Sequence, residues 1–183
     1  VDLIDIRYWY YQEDGNAYAP KGGQNLAPRQ HARITKSKKT SFDQVYRAVA
    51  AYKSKFPEKA VCYSANNYTS YGWAILMAGG SLSNVADNNP ILLNAAATMQ
   101  PFLPNGTDKM QYGLKNEGKA YILFNASAEA FKMDLTKVSG SFKAQIMDAK
   151  TGSLIKEMKV NAGSILKIDK VGNGDEVIIL NKN

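Results

Sequence analysis

Cysteine and histidine are almost absent from this sequence. Among 183 residues there is one cysteine, Cys62, and one histidine, His31. One cysteine cannot form a disulfide within the chain, and these two residues cannot supply the four protein ligands of a structural zinc site. The apolar residues beside Cys62 predict a buried thiol. We therefore expect no internal disulfide and no metal or other cofactor.

Long apolar segments are missing as well. No run approaches the roughly 20 residues of a transmembrane helix, so we expect no membrane span. No signal peptide is recognisable after Val1, and the chain begins directly on a strand-like segment rather than on Met. Val1 is therefore expected to be a cut or processing point. The hydrophobic fraction of 45% and the charged fraction of 21% indicate a globular chain rather than a disordered one.

The basic residues do not form a nucleic-acid-binding pattern, although they outnumber the acidic residues by 23 to 16. Their densest cluster, at positions 36–39, carries no interleaved aromatic residues or glycines of the kind that nucleic-acid surfaces use. We interpret this cluster as a solvated loop. No nucleic-acid partner is predicted.

What the chain does contain, near its beginning, is a strand that ends in aromatic and acidic residues. The apolar side chains of Leu3, Ile4 and Ile6 predict a buried strand, and the aromatic run 8–11 follows it. Glu13, Asp14 and Gly15 then close the segment. In parallel barrels, the carboxyl ends of the strands carry the chemistry. This segment is therefore the first candidate for one wall of a site.

The first part of the chain alternates strands and helices. Ser41 is predicted to cap a helix with Gln44 three residues later, and Pro57 to end it. The complete prediction is a strand at 1–12, a loop at 13–40, a helix at 41–56, a strand at 59–64, a helix at 71–79, a short strand at 82–85 and a last helix from about 88 through Phe102. Such alternation is typical of a parallel sheet or barrel. Three units cannot close an eight-stranded barrel. The chain therefore forms either an open three-layer sheet or, as we favour, the C-terminal piece of a longer protein whose remaining units lie upstream of Val1.

The pattern changes near residue 105, where short strands separated by turn residues replace the alternation. The predicted strands are 110–115, 119–126, 130–136, 141–148, 153–160, 164–169 and 176–181. This spacing is typical of an antiparallel β-sandwich. We therefore predict two domains, 1–104 and 105–183. The sandwich strands carry lysines without an aromatic platform, which favours a structural module over a carbohydrate-binding one.

Several segments resemble a known family of enzymes. Segments 4–10, 60–64 and 70–80 resemble the last third of a (β/α)8 glycoside hydrolase, in particular the apiosidase-like, polysaccharide-degrading enzymes of gut Bacteroidetes. The later segments resemble the C-terminal β-sandwich of these enzymes, which is often labelled collagen-binding; they are 120–124, 133–135, 140–152 and 175–180. The resemblance implies α/β plus all-β architecture, with the C-terminal βα units of a TIM-type barrel followed by a small sandwich.

The same resemblance implies a glycoside hydrolase, periplasmic or secreted, that acts on an oligo- or polysaccharide. Glycoside hydrolysis typically needs two carboxylates. In these barrels a strand near positions 60–64 commonly ends in a catalytic Glu, but here it ends in Ser64, and no carboxylate lies between Glu58 and Asp87. Glu13 and Asp14 point to opposite sides of an extended chain, so we predict that one of them is catalytic and that its partner lies upstream of Val1.

Aromatic, amide and guanidinium groups near the strand ends are candidates to bind sugar. Aromatic rings suit the apolar faces of sugars, and polar groups suit their hydroxyls. The predicted substrate-binding residues are Arg7, Trp9, Tyr10, Tyr11, Asn16, Tyr63, Asn66 and Tyr68. Arg7 also lies on the same strand face as Asp5, two residues away, which predicts an ion pair inside the barrel.

Two alternatives to a hydrolase fragment stay open. The chain could belong to a non-catalytic carbohydrate-binding protein with the same barrel-plus-sandwich architecture, or it could have no independent activity. A hydrolase based on Ser64 and His31 is not favoured, because the sequence has no Gly-x-Ser-x-Gly elbow.

Overall fold

The computed structural model describes residues 2–7, 10–11, 17–18, 41–64, 68–85, 90–104 and 110–183. In these ranges the fold is rich in β-strands, most of them antiparallel, with few helices. The chain divides into two compact units, Val1–Asn84 and Val85–Asn183. The domain boundary near residue 105 stays a prediction.

The first unit combines a parallel strand pair with helices. Its elements are β1 (Leu3–Ile6), β2 (Tyr10–Tyr11), β3 (Ala17–Tyr18), α1 (Phe42–Lys55), β4 (Ala60–Tyr63), a 3-10 helix (Tyr68–Tyr71) and α2 (Gly72–Met77). β1 and β4 are parallel, with Ile4 opposite Val61 and Ile6 opposite Tyr63. Helix α1 connects β1 to β4 in the sequence and lies against β4 and α2, as a crossover helix between parallel strands does.

Helix α1 begins and ends where the sequence predicts. The Ser41 hydroxyl accepts a hydrogen bond from the Gln44 backbone N–H at 3.3 Å and caps the first turn. Val45 and Val49 are fully buried on its inner face. At the other end, the Phe56 N–H donates to the Tyr52 carbonyl at 2.8 Å, just before Pro57. The bounds of this helix therefore follow from three features of the sequence, namely the Ser41 cap, the apolar periodicity and Pro57.

Sequence predictions are wrong at three places. The predicted strand at 1–12 is interrupted, because β1 ends at Ile6, Arg7 forms a bend, and β2 pairs with β3 in a separate antiparallel sheet. Residues 82–85 do not form a strand, because Leu82 has a positive φ of 57° that an extended strand does not allow. The backbone N–H of Ser81 does donate to the Val61 carbonyl beside β4, at 2.7 Å, but no ladder continues from there. The last helix, α3 (Pro90–Ala96), stops well short of Phe102, which lies instead in a strand. Pro101 lacks the N–H that a helix interior needs.

The second unit is a two-sheet β structure. Its strands are β5 (Gln100–Phe102), β6 (Gln111–Asn116), β7 (Ala120–Asn125), β8 (Phe131–Asp134), β9 (Ser141–Asp148), β10 (Leu154–Asn161), β11 (Ile165–Ile168) and β12 (Glu176–Lys182). Six of them form an antiparallel sheet in the order β10-β9-β12-β7-β6-β5, and β8 pairs with β11 in a second sheet. The seven strands predicted after residue 105 are all confirmed.

The apolar core of the second unit is built from both sheets. Phe131 and Met133 of β8 are buried, whereas the intervening Lys132 is exposed, as strand alternation requires. The Tyr121 and Phe142 rings of the large sheet meet edge to face at 5.7 Å between centroids. The cluster is Tyr121, Leu123, Phe131, Met133, Leu135, Phe142, Ala144, Ile146, Val160, Leu166, Ile168, Ile178 and Leu180. Side chains from two sheets in one core make this unit sandwich-like.

Candidate functional site

A polar cluster lies at the carboxyl ends of the parallel strands β1 and β4. The Ser64 hydroxyl donates a hydrogen bond to Asp5 Oδ1 at 2.6 Å, and Arg7 Nε donates to Asp5 Oδ2 at 2.7 Å. The backbone N–H of Ser64 also donates to the Ile6 carbonyl at 3.1 Å and fixes the end of β4. We call Asp5, Arg7 and Ser64 the Asp5 cluster. Both of its carboxylate oxygens are engaged.

The surroundings of Asp5 favour its ionised form. Partial burial acts to raise the pKa of Asp5, but the hydrogen bonds from Ser64 and Arg7 and the charge of Arg7 outweigh burial and lower the pKa below its ordinary value. A carboxyl group with a lowered pKa is not suited to donate a proton at neutral pH. Asp5 is better suited to hold Arg7 in place.

Cys62 lies opposite Asp5 in the strand register and has no catalytic character. The residue is 7% exposed, which confirms the predicted burial. Burial, together with the nearby charge of Asp5, raises the pKa of the Cys62 thiol above its ordinary value. A neutral, buried thiol is a poor nucleophile.

The structure describes only some of the predicted sugar-binding residues. Arg7 and Asp5 do form an ion pair, at 2.7 Å, but the Arg7 side chain is 68% exposed, so the predicted place of the pair inside a barrel stays a prediction. Tyr63 ends β4 and is buried, with 6% exposure. Tyr10 and Tyr11 form β2, and Tyr68 begins the 3-10 helix. Trp9, Glu13, Asp14, Asn16 and Asn66 lie outside the described residues, and their roles stay predictions.

Ser64 is the member of the cluster that the sequence does not reveal as a site residue. In the sequence, Ser64 marks the absence of an expected Glu and enters only the disfavoured Ser64–His31 hydrolase, and it is separated from Asp5 by 59 positions. The parallel register places Cys62 opposite Asp5 and Tyr63 opposite Ile6, which brings Ser64 beside the end of β1. Ser64 could therefore have been found as a site residue only from the pairing of β1 with β4, and not from a local sequence motif.

A second polar surface lies along β9 and β10, where Lys143, Glu157 and Lys159 share the sheet face away from the core while Met158 packs against the core. It forms a groove of about 260 Å³ lined by Lys143, Glu157, Met158, Lys159 and Asn183. Lys143 Nζ lies 2.8 Å from Glu157 Oε2. The Gln145 side-chain amide donates to the same oxygen at 3.0 Å. We call this the β9–β10 groove.

Neither surface has the composition of a metal site. Within the described ranges, no group of three or more His, Cys, Asp or Glu side chains is arranged to hold a metal ion. Among the described residues, no helix has both the length and the hydropathy that a membrane-spanning helix needs.

Comparison with protein families matches residues 1–99 to a family described as a domain of unknown function, DUF6298. That match covers more than half of the 183 residues. The chain belongs to the DUF6298 family. No significant match was found among curated protein sequences.

Solved structures place the DUF6298 chain in a fold related to glycoside hydrolases. A protein described as a glycoside hydrolase aligns with all of the chain at 12% identity and a TM-score of 0.59, and the alignment covers 53% of that protein. A glycoside hydrolase family 5 protein from Bacteroides vulgatus ATCC 8482 also aligns with the whole chain, at 12% identity and a TM-score of 0.55, over 51% of its own length. The chain thus spans about half the length of these two structures.

Proposed function

We propose that this DUF6298 chain is the C-terminal part of a periplasmic or secreted glycoside hydrolase acting on a complex polysaccharide. In this proposal, residues 1–104 are the last βα units of a (β/α)8 barrel and residues 105–183 are its accessory sandwich. The observation that carries it is the alignment of the whole chain, parallel pair and antiparallel unit together, with half of a glycoside hydrolase at a TM-score of 0.59. The parallel β1–β4 pair with α1 packed against it also fits βα units.

The proposed chemistry needs a carboxylate pair, of which this chain supplies at most one member. Glu13 and Asp14 follow β2 in the sequence and are the proposed candidates for acid, base or nucleophile. Asp5 does not fit the general acid, because its lowered pKa keeps it ionised. It fits a positioning role, in which it orients the Arg7 guanidinium toward the carboxyl edge of the strands.

The proposed sugar-binding wall consists of aromatic and polar side chains near that edge. Aromatic rings would stack on sugar faces, while Arg7 and the amides would bind hydroxyls or acidic groups. The full proposed set is Arg7, Trp9, Tyr10, Tyr11, Asn16, Tyr63, Asn66 and Tyr68. The opposite wall is proposed to lie upstream of Val1.

The test uses the full-length protein, with Glu13→Gln and Asp14→Asn as single variants. Release of reducing ends is measured on plant and host polysaccharides. One of the two variants is expected to lose about 10²- to 10⁴-fold in kcat/KM, since general acid–base groups contribute that much. Glu58→Gln is the matched control, because Glu58 is an exposed carboxylate in the turn after α1. If both variants cleave like the control, the catalytic assignment is wrong.

A specific observation favours a second candidate, a carbohydrate-binding protein without catalysis. The family resemblance implies that a strand near positions 60–64 commonly ends in a catalytic Glu, whereas here β4 is followed by Ser64, whose hydroxyl donates to Asp5. The expected result for this candidate is that the unmodified full-length protein binds polysaccharide but does not cleave it. Glu13→Gln and Asp14→Asn would then change nothing in the cleavage assay.

A further inference from the structure

Two lysines of the β9–β10 groove face each other across neighbouring strands. Lys159 of β10 is directly opposite Lys143 of β9 in the antiparallel register. Directly opposite side chains in such pairs have Cβ atoms roughly 4.5–5.5 Å apart, and like charges there are destabilising. A sheet that keeps this arrangement concentrates positive charge at one spot.

Only one of these charges is neutralised by the described residues. Glu157 pairs with Lys143 at 2.8 Å, and the hydrogen bonds from Lys143 and Gln145 lower the pKa of Glu157, so this carboxylate is ionised. Lys159 is exposed and has no ion pair or hydrogen bond within the described part of the chain. The groove therefore offers one uncompensated ammonium beside an ion pair.

A polar side chain that could hold a small ligand, Asn183, lines the same groove as this ammonium. The Asn183 side-chain amide donates to the Ser141 hydroxyl at 2.9 Å, and its backbone N–H donates to the Ser141 carbonyl at 3.0 Å. Asn183 is thereby fixed at the rim of the groove, with its amide oxygen available to accept a hydroxyl proton. The volume of about 260 Å³ lies below the roughly 300–1,000 Å³ of pockets for larger ligands, which fits one sugar residue.

We propose that the β9–β10 groove binds an acidic sugar residue of a polysaccharide, with the sugar carboxylate on Lys159. This inference rests on the proposed function for its choice of a saccharide, and it deepens that function by naming the substrate class. The groove lining contains no aromatic ring, so a neutral sugar would find no stacking platform. An acidic sugar gains the charge-assisted hydrogen bond that Lys159 can donate.

The test compares oligogalacturonate with its methyl ester, which has the same sugar skeleton without the charges. The full-length protein is titrated with each by calorimetry. We expect the acidic form to bind more tightly, and its binding to weaken with added salt because exposed charges are screened. Lys159→Ala is expected to weaken binding of the acidic form about fivefold, the effect of losing one exposed ion pair, while Lys159→Arg retains most of it.

The chain provides a matched control in Lys156→Ala. Lys156 is also exposed on β10, but its register partner Ile146 belongs to the core face, so Lys156 lies on the opposite face from Lys159. Thermal unfolding verifies that both variants are folded. Binding unchanged in Lys156→Ala and weakened in Lys159→Ala supports the inference.

Several results would overturn it. They are no measurable binding of oligogalacturonate, equal binding of the acid and the ester, and equal effects of Lys156→Ala and Lys159→Ala. Displacement of oligogalacturonate by duplex DNA with the same dependence on Lys159 would also overturn it, because it would show a general polyanion surface. Cleavage activity without Lys159-dependent binding defeats this inference alone, whereas Lys159-dependent binding without cleavage defeats only the hydrolase proposal.

Discussion

At the scale of single residues, the buried polar groups of the sandwich form a row. Gln111 of β6 is opposite Asn125 of β7, and Asn125 is opposite Glu176 of β12. These are the buried polar side chains among the described residues, each at most 3% exposed. The Gln111 amide donates to Asn125 Oδ1 at 3.2 Å. Because directly opposite residues share a sheet face, the row closes one end of the apolar core.

Glu176 ties the loop before β12 to this row. Its Oε1 accepts hydrogen bonds from the backbone N–H groups of Val171, at 2.8 Å, and of Gly172. Its Oε2 is buried and has no hydrogen-bond partner among the described residues. The first oxygen therefore satisfies two backbone donors, and the side chain specifies the conformation of the loop.

We expect Glu176→Ala to lower the free energy of unfolding of the second unit by about 2–3 kcal/mol. The variant leaves two backbone donors without their acceptor, and each unsatisfied group costs about 1–3 kcal/mol. Urea denaturation followed by tyrosine fluorescence measures the change. The control is Glu157→Ala, which removes a solvent-exposed carboxylate from a surface ion pair and is expected to cost much less stability. Equal losses in the two variants would contradict the role given to Glu176.

At the scale of secondary-structure elements, the pairing of β5 with β6 depends on one glycine. Phe102 is opposite Gly113, and its ring covers the glycine so closely that a Cβ atom there would overlap the ring. The same ring lies 6.4 Å from the Tyr121 ring and 5.5 Å from the Lys115 ammonium. Phe102 therefore joins the edge strand to the core through the space that Gly113 leaves.

A double-mutant cycle tests this arrangement. Gly113→Ala is expected to destabilise the second unit by about 1–3 kcal/mol, the usual cost of overpacking. In a Phe102→Ala background the same change is expected to be neutral, or stabilising by about 0.5–1 kcal/mol, because alanine costs less backbone entropy than glycine in a strand. Urea denaturation of the four proteins gives the coupling energy. A coupling energy near zero would mean that the ring does not restrict position 113.

Strands with their own alternation could be predicted from the sequence, and strands that depend on a partner could not. β8 alternates buried and exposed residues, and helix α1 carries its own cap and stop. β5 has only three residues, one of them Pro101, and its extended form depends on pairing with β6. The predicted strand at 82–85 is wrong for a local reason, because the sequence pattern does not reveal the positive φ of Leu82.

Only those contacts of the candidate site that lie within one strand could be predicted from the sequence. The ion pair of Asp5 and Arg7 follows from their spacing of two residues on one strand. The hydrogen bond from Ser64 joins positions 59 residues apart, and it requires knowledge of the β1–β4 register. The like-charge pair of the β9–β10 groove also depends on register, and no spacing within either strand indicates it.

At the scale of the whole molecule, hydrogen bonds to carboxylates predict acid sensitivity. In five carboxyl groups, hydrogen bonds from neighbouring side chains or backbone prevail over burial and lower the pKa; the groups are Asp5, Glu117, Asp134, Asp148 and Glu157. Burial raises the pKa of Asp175, which works in the opposite direction. More of these carboxyl groups have a lowered pKa than a raised one, so folding is more favourable when the groups are ionised.

We expect the free energy of unfolding to fall as the pH decreases below about 4, the ordinary pKa of these groups. A group with a lowered folded pKa binds fewer protons folded than unfolded, so its stabilisation is complete above the unfolded pKa and is lost as the pH falls through the folded pKa. Urea midpoints at neutral pH and at successively lower pH test this. A midpoint that stays constant or rises on acidification would contradict it.

The central position of β12 has a consequence for the order of folding. β6 with β7 and β9 with β10 are antiparallel neighbours in sequence and can pair as soon as they are synthesised. β12 emerges from the ribosome after all of them, yet it pairs with both β7 and β9 in the middle of the large sheet. Until it arrives, the edges of β7 and β9 are unpaired and available to other chains. Every newly made copy thus passes through a stage at which premature release or slow translation exposes it to aggregation.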